Sequence, residues 1–511
     1  PTDGSLFDLR NLPGFVPVPP SRQPMEPILP IKENQNGAAF DSNISTPYVQ
    51  NFTLSVTRRL TPNVELDVRY IGTRGLKLTG SYNLNVPSVF NNPVLMDAFT
   101  RTRRGEDVEL FDQMFLGLNL NPGVANFSAV NGTTQRGSAH LRQSTTFRTA
   151  LANGDFNTLA NLLDYFNGAG SGPTGLVAPF SGQAGERGRV LRRANKGFNV
   201  PGGTAIVGGP VVPAGLFPEN WISSNPQFNQ ANYYSDAGSS VYHSLQVQGT
   251  LRPTHGVSFQ GTYLWSRSLG ISPSSYTHPA ERERDYILQG THRTHEFRSN
   301  GTFQLPFGPN KLLGSNSSGW LARAIENWES SIIFNLATGA PSSITAGNML
   351  YANGVADLVE PLSIRTGTVK WGDPSENDQL VGNYFGNEWT KVTDPQCLTV
   401  AANLRTFCTL QAVADASGKV LIQNPQPGTR GIIGRQTVEN PGSWDFDANL
   451  RKTFRISESK TLQIRFDATN ILNHPAPSNP TLSINATNTL GYIADKTDAH
   501  REFQAQIRLV F

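Results

Sequence analysis

Three segments near the C-terminus alternate strictly between apolar and polar residues, and this pattern limits the fold more than any other feature. Their apolar members are Trp444, Phe446, Ala448 and Leu450, then Leu462, Ile464, Phe466 and Ala468, then Phe503, Ala505, Ile507, Leu509 and Phe511. A period of two places alternate side chains on opposite faces of a β-strand. The segments have about the ten residues that a tilted strand needs to cross a bilayer, so we expect the apolar face to meet lipid.

The same alternation recurs in six segments earlier in the chain. They are residues 48–59, 64–70, 241–251, 257–268, 297–305 and 328–336. The turn Thr61-Pro62-Asn63 joins the first two segments as a hairpin, and residues 252–256 join the third to the fourth. The sequence therefore predicts an all-β fold, an antiparallel transmembrane β-barrel to which this chain contributes about nine strands.

Short and long connections alternate along the predicted strands. The short ones follow Arg59, Leu251, Leu305 and Arg455, and the long ones follow Leu78, Ser268, Leu336 and Asn473. Short turns on one rim and long loops on the other are typical of outer-membrane barrels, whose long loops are extracellular. We expect residues 84–239 and 340–441 to be the main extracellular loops. Helical spacing over Thr145–Ala152 and Phe156–Phe166 predicts local structure inside the first.

The direction of the strands limits how the barrel can close. Nine strands that begin and end in the same direction cannot close an antiparallel ring, and an open edge in lipid costs several kcal/mol per unpaired backbone group. Either a long loop contains another strand, or the chain is the C-terminal part of a larger barrel. We favour the second, with residues 1–46 as an extracellular Pro-rich loop segment and residues 47–511 as the barrel part.

Charge and cysteine content narrow the class of protein. A net charge of +3 from 42 basic and 39 acidic residues gives no reason to expect a nucleic-acid partner. Cys397 and Cys408 lie in a polar region without strand periodicity. A disulfide that pins a loop in an oxidising compartment is the first interpretation, and two free thiols are the alternative.

Charged residues on the predicted strands all fall on the polar face. They are Glu65, Asp67, Arg69, Asp445, Asp447, Arg451, Arg465, Asp467 and Arg508. One interpretation makes them lumen groups that contact a plug or a passing solute. The alternative, which we prefer, is a ladder of cross-strand pairs of mixed sign in a wet interior.

No motif in the sequence indicates catalysis, a metal or a cofactor. Asp445, Asp447 and Asn449 would spread over about 13 Å of one strand, too far for one calcium ion. His292 and His295 would face opposite sides of an extended chain. The Gly-rich stretch at residues 168–175 lacks the pattern of a phosphate-binding loop, and no G-x-S-x-G or H-E-x-x-H occurs. We therefore do not expect an enzyme.

Several strand and turn segments carry a family resemblance. They are YVQNFTLSVTRRLTPNVELDVRYIGTRGLKL, FPENWISSNPQF, YHSLQVQGTLRPTHGVSFQGTYLWSRSLG, LQIRFDATNILNHPAPSNP and the terminal REFQAQIRLVF. Together they resemble the C-terminal half of TonB-dependent outer-membrane receptors, above all the Oar-like group. The resemblance spans residues 45–511.

The resemblance implies a barrel of about 22 strands with an N-terminal plug and a box that binds the TonB complex. Plug, box and the earlier strands have no counterpart in these 511 residues, so they are the missing partners that it implies. It also implies that Phe511 is a signal read by the barrel assembly machinery. Uptake of a nutrient such as a peptide or a glycan is the first functional hypothesis. A non-transporting outer-membrane anchor or surface-assembly protein and a secreted all-β binding protein are the alternatives.

Overall fold

The structure is a computed structural model. It describes residues 36–84, 89, 92–116, 119–121, 123–166, 186–187, 221–222, 230–272, 283–347, 354–360, 362, 364–372, 382–386, 389–457, 459–497 and 500–511. Most of the Pro-rich segment and the Gly-rich stretch at residues 168–175 lie outside the described residues.

Nine long strands form one antiparallel meander, in which each pairs with the next long strand along the chain. They are β1 (Tyr48–Thr61), β2 (Val64–Asn83), β3 (Gln230–Thr254), β4 (Val257–Ile271), β5 (His295–Gln304), β6 (Trp328–Ala337), β7 (Ser443–Arg455), β8 (Thr461–Thr469) and β9 (Glu502–Val510). The antiparallel sheet that the alternation predicts is therefore confirmed.

Tight turns set the register of the hairpins. His255 and Gly256 connect β3 to β4, and both have positive φ, 49° and 79°. Two such residues match a type I′ turn, whose twist suits a two-residue hairpin. On the first hairpin, Val56 lies opposite Val68. The apolar residues of adjacent strands consequently share one face of the sheet.

The first and last strands form the two edges of the described sheet. No ladder joins β1 to β9 within the described residues. Two short strands extend the sheet elsewhere: Asn36–Phe40 pairs in parallel with β3, and Ile287–Leu288 pairs with β4. Asn36–Phe40 is thus a strand within residues 1–46, which the sequence analysis describes as a Pro-rich loop segment.

Strands β2 and β3 are far longer than a bilayer requires. They contain 20 and 25 residues, against about ten for a tilted spanning strand. Strand β3 begins at Gln230, inside the stretch predicted as loop 84–239. The pairing of β2 with β3 shifts register between Gly75 and Gly80, and the two strands remain paired beyond these shifts. The β2–β3 pair therefore extends past the neighbouring strands and carries the first long connection at its end.

Among the described residues of the first long connection, five helices pack around an aromatic core. They are α1 (Pro93–Arg104), α2 (Glu109–Met114), α3 (Gly137–Gln143), α4 (Arg148–Asn153) and α5 (Phe156–Asp164). The α5 helix begins as predicted, since the Asp155 carboxylate accepts a hydrogen bond from the Thr158 N–H at 3.1 Å. Phe99 stacks on Phe111 and packs against Phe156. A further short pair, Tyr165–Phe166 with Glu186–Arg187, follows α5.

The second long connection consists of short strands and 3₁₀ turns around its own apolar core. Its strands are Pro341–Ser342, Asp357–Leu358, Lys370–Trp371, Gly382–Asn383, Thr390–Thr393, Gln411–Ala414, Val420–Gln423 and Val438–Glu439, and its 3₁₀ helices are Pro395–Leu398 and Ala402–Phe407. Tyr492–Ile493, between β8 and β9, pairs with Gly382–Asn383. Ile344, Val413, Ile422 and Ile493 are buried together. The connection between β6 and β7 and the connection between β8 and β9 thus share one apolar core.

The connection between β5 and β6 differs from the short turn predicted after Leu305. It contains the helix α6 (Gly319–Ile325) and a bridge between Phe307 and Leu313. Among the described residues, no helix has the length and apolar character needed to span a membrane.

Candidate functional site

One face of the sheet collects polar side chains in continuous rows. One row runs from Asp67 through Gln248, Thr262, Arg298 and Asn335 to Asp445. The register places all nine predicted charged residues on this face: Glu65, Asp67, Arg69, Asp445, Asp447, Arg451, Arg465, Asp467 and Arg508. That this face lines a lumen stays a prediction.

Ion pairs of opposite sign connect many of these charged groups. Arg69 contacts Asp67 at 3.2 Å and Arg465 contacts Asp467 at 2.8 Å, each along one strand. Across strands, Arg451 contacts Glu329 at 2.6 Å. The Asp445 carboxylate accepts a hydrogen bond from the Asn335 amide at 2.9 Å. Contacts along one strand thus occur beside cross-strand contacts, and the ladder of cross-strand pairs in a wet interior stays a prediction.

The opposite face of the sheet is apolar and exposed. Leu54 is 69% exposed and Phe503 is 71% exposed, although both belong to regular strands. Tyr70, Tyr263 and Trp265 are also exposed on this face. A band of exposed aromatic and aliphatic side chains on paired strands is the surface that an outer-membrane barrel presents to lipid. Tyr242 lies on the polar face, opposite Thr73, so not every aromatic residue of these strands belongs to the apolar face.

The first and second long connections are joined at a buried arginine. Arg103 lies near the end of α1. Its Nη2 donates a hydrogen bond to Oε1 of Gln396, and its Nε donates one to the carbonyl of Ala152, each at a distance of 3.0 Å. Burial lowers the pKa of Arg103 to about 10, because few water molecules remain to solvate the cation. Val400 and Leu404 from the second connection complete the helical core of the first.

A buried carboxylate extends the junction to the connection between β8 and β9. Asp394 is fully buried and accepts hydrogen bonds from the backbone N–H groups of Gln396 and Asn424. The Asn424 side chain is hydrogen-bonded in turn to that of Asn485. Arg435 of the second connection also contacts Asp285, which precedes β5, at 2.6 Å. These contacts join all four long connections into one assembly, which we call the cap.

The predicted disulfide lies at this junction. Cys397 and Cys408 are bonded, with 5.7 Å between their Cα atoms, and they tie together the two 3₁₀ helices of the second connection. Beside it, the guanidinium of Arg148 lies 3.9 Å above the Phe407 ring. Asn153 and Thr409 exchange two hydrogen bonds. The disulfide therefore holds the segment of the second connection that contacts α4.

A cavity of about 580 Å³ lies where the cap meets the apolar face of the sheet. Tyr263, Leu336 and Trp444 of the sheet line one side, and Trp371 and Glu439 of the cap line the other. Burial raises the pKa of Glu439, which favours the neutral carboxyl. Aromatic walls with a few polar groups suit an amphiphilic or small organic ligand.

The sequence offers Asp445, Asp447, His292 and His295 as possible metal ligands, and their spacing argues against each set. Within the described residues, no group of three or more His, Cys, Asp or Glu side chains is arranged to hold a metal ion. His292 accepts a hydrogen bond at Nδ1 from the Ser268 N–H, which is a structural role. The sequence interpretation missed Arg103 and Asp394, since isolated polar residues in loops give no periodic signal.

The comparison with protein families decides what kind of sheet this is. Residues 10–504 match the model of the outer membrane beta barrel domain. The chain belongs to that family. It is an outer-membrane barrel protein, and the secreted alternative is accordingly set aside. Among curated proteins none matches the chain.

Solved structures of outer-membrane proteins show similarity to this barrel protein only at low scores. The outer membrane transporter YddB from Escherichia coli is 7% identical with a TM-score of 0.33, over 94% of this chain and 34% of that chain. A Pseudomonas aeruginosa FadL homologue is 8% identical with a TM-score of 0.16, over 91% and 67% of the two chains. This chain therefore spans about a third of the length of YddB.

Proposed function

We propose that this barrel protein is the C-terminal part of a TonB-dependent transporter of the Oar-like type, which takes up a nutrient through a barrel of about 22 strands. In this proposal the missing strands and the plug belong to a part of the protein outside this chain, and the TonB complex binds to that part. In this proposal the long connections are extracellular and the polar face lines the lumen.

The observation that carries the proposal is the cap. Residues from four connections on one rim are joined through Arg103, Gln396, Asn424 and Arg435, and the polar rows of the sheet end at the same rim. A recognition surface on exposed loops that is held by a rigid scaffold is the usual arrangement for ligand capture. The size of the cap favours a ligand larger than those that diffuse through porins, such as a peptide or a glycan.

Growth of the native bacterium tests transport against anchoring. A strain that lacks the gene is compared with its parent on a protein digest and on a polysaccharide digest as the only carbon source. The transport proposal predicts that the deletion slows growth on one digest, and that a protonophore abolishes uptake of its labelled fragments in the parent. Equal growth and uptake in both strains on both digests would favour the non-transporting anchor.

A further inference from the structure

A short helix lies against the apolar face of the sheet at the rim of the short connections. The α6 helix belongs to the connection between β5 and β6. The Trp328 indole N–H at the start of β6 donates to the carbonyl of Ala324 at 3.1 Å. The Lys452 ammonium of β7 donates to the carbonyl of Arg323 at 2.7 Å and also to that of Glu326. Two strands, β6 and β7, therefore fix the helix on the sheet.

Lys452 occupies a position that the alternation assigns to the apolar face. It pairs with Trp328 and Ile464, and it follows Ala448 and Leu450 on the same side of β7. A lysine on the lipid face of a barrel strand costs about 2–4 kcal/mol near the bilayer midplane and much less at its boundary. Here the side chain is only 1% exposed. The carboxyl end of α6 supplies acceptors for the cation, and helix dipoles favour a positive charge at that end.

Aromatic rings complete the surroundings of this lysine. The Lys452 Nζ lies 4.9 Å from the centre of the Phe454 ring and 5.6 Å from that of Trp328. Cation–π contacts of this kind stabilise an ammonium group that has lost water. Lys452 of β7 thus attaches the end of α6 to the sheet through these hydrogen bonds, and we call this attachment the clasp.

The outer side of the same connection is unusually apolar. Leu312 is 83% exposed and Trp320 is 80% exposed, and Leu313 and Leu321 are exposed beside them. The basic residues Lys311 and Arg323 are exposed on the same connection. Tryptophan and leucine next to basic residues are the composition of segments that lie at a membrane surface.

We propose that residues 306–327 form a membrane foot, which inserts Leu312, Leu313, Trp320 and Leu321 into the headgroup boundary of the nearer leaflet. The occupant of this surface is phospholipid. The foot continues the apolar face that an outer-membrane barrel turns toward lipid, at the rim where that face ends. Lys311 and Arg323 are placed to contact lipid phosphates. The inference depends on the barrel assignment and is independent of TonB-dependent uptake.

Fluorescence of Trp320 tests the foot in the full-length protein, reconstituted in vesicles of phosphatidylethanolamine and phosphatidylglycerol. The Trp320 signal is the difference between the wild type and Trp320→Phe. We expect phospholipid brominated near the headgroup to quench this signal and aqueous iodide to leave it unchanged. The matched control is the difference signal of Trp371→Phe, a residue of the cap.

Two results would overturn the proposal. One is quenching of Trp320 by iodide without quenching by brominated lipid, which would place the foot in water. The other is protection from both quenchers, which would show that a protein covers the foot.

The variant Lys452→Met tests the clasp, because methionine suits the lipid face and leaves the barrel able to assemble. We expect loss of brominated-lipid quenching in this variant, and unchanged quenching would show that Lys452 does not hold the foot.

Discussion

Arg103 and Gln396 are 293 residues apart in the sequence, yet their side chains share a buried hydrogen bond of 3.0 Å. The bond joins the helical first connection to the disulfide-linked second one. Asp394 lies close enough to Arg103 for its charge to favour the cation. This contact makes the cap one folded unit instead of a set of independent loops.

Replacement of Arg103 by methionine should loosen the cap and leave the barrel intact. The Gln396 and Ala152 oxygens would lose their donor, and buried Asp394 would lose a nearby cation, at a cost of about 2–4 kcal/mol. Hydrogen exchange of the amides around Leu404 would measure the change. The matched control is Arg104→Met, since Arg104 is exposed. Equal exchange in the two variants would contradict the role of Arg103.

Removal of the disulfide should free the same segment. The double variant Cys397→Ser/Cys408→Ser lacks a cross-link that closes a loop with a sequence separation of 11 residues, which corresponds to about 2–3 kcal/mol of chain entropy. We expect faster proteolysis at residues 395–410 with unchanged heat resistance of the barrel on gel electrophoresis. Cleavage as slow as in the oxidised wild type would show that packing against α4 suffices.

The cap should also weaken in acid through His140. Its Nδ1 accepts a hydrogen bond from the Leu120 N–H at 3.3 Å, which leaves Nε2 to donate to Gln135 Oε1 at 3.1 Å, and Phe127 packs against the ring. Burial lowers the pKa of His140 to about 4 from 6.5. Between these two pH values His140 binds a proton in the unfolded connection but not in the folded one. The contribution of His140 to the stability of the helical connection is therefore complete above pH 6.5 and is lost as the pH falls toward 4.

The loss should not exceed about 3 kcal/mol for the folding of the helical connection. Circular dichroism of the helices against pH, or hydrogen exchange of α3, measures it. His140→Gln keeps a donor and an acceptor without titrating and should flatten this part of the pH profile. An unchanged profile in that variant would assign the pH dependence to other groups.

The sequence predicted the strands well because alternation is a local property. The predicted segment 328–336 corresponds to Trp328–Ala337, and the polar rows follow from the same period. The cap contacts could not be predicted this way, since the pairing of Arg103 with Gln396 depends on how two distant connections fold. Lys452 illustrates a further limit. It interrupts the apolar side of β7, and only the position of α6 explains it.

Phe511 gives a prediction about assembly. Phe511 is 87% exposed at the end of β9, without a packing role in the described chain. If the assembly machinery reads it, Phe511→Ala should lower the amount of heat-resistant barrel in outer-membrane fractions several-fold. Val510→Ala is the control, because it removes apolar surface from the adjacent position. Equal amounts of the two variants would remove Phe511 as the signal.

Spin labels along β7 show whether one face of this sheet meets lipid and the other meets water. Single cysteines at Phe446, Asp447, Ala448, Asn449 and Leu450 would carry the labels, since both native cysteines are in the disulfide. Collision with oxygen and with a water-soluble nickel chelate is then measured in vesicles. If the apolar face meets lipid, we expect oxygen-dominated relaxation at positions 446, 448 and 450 and nickel-dominated relaxation at positions 447 and 449. Uniform access to the chelate, or alternation in the opposite phase, would contradict this arrangement.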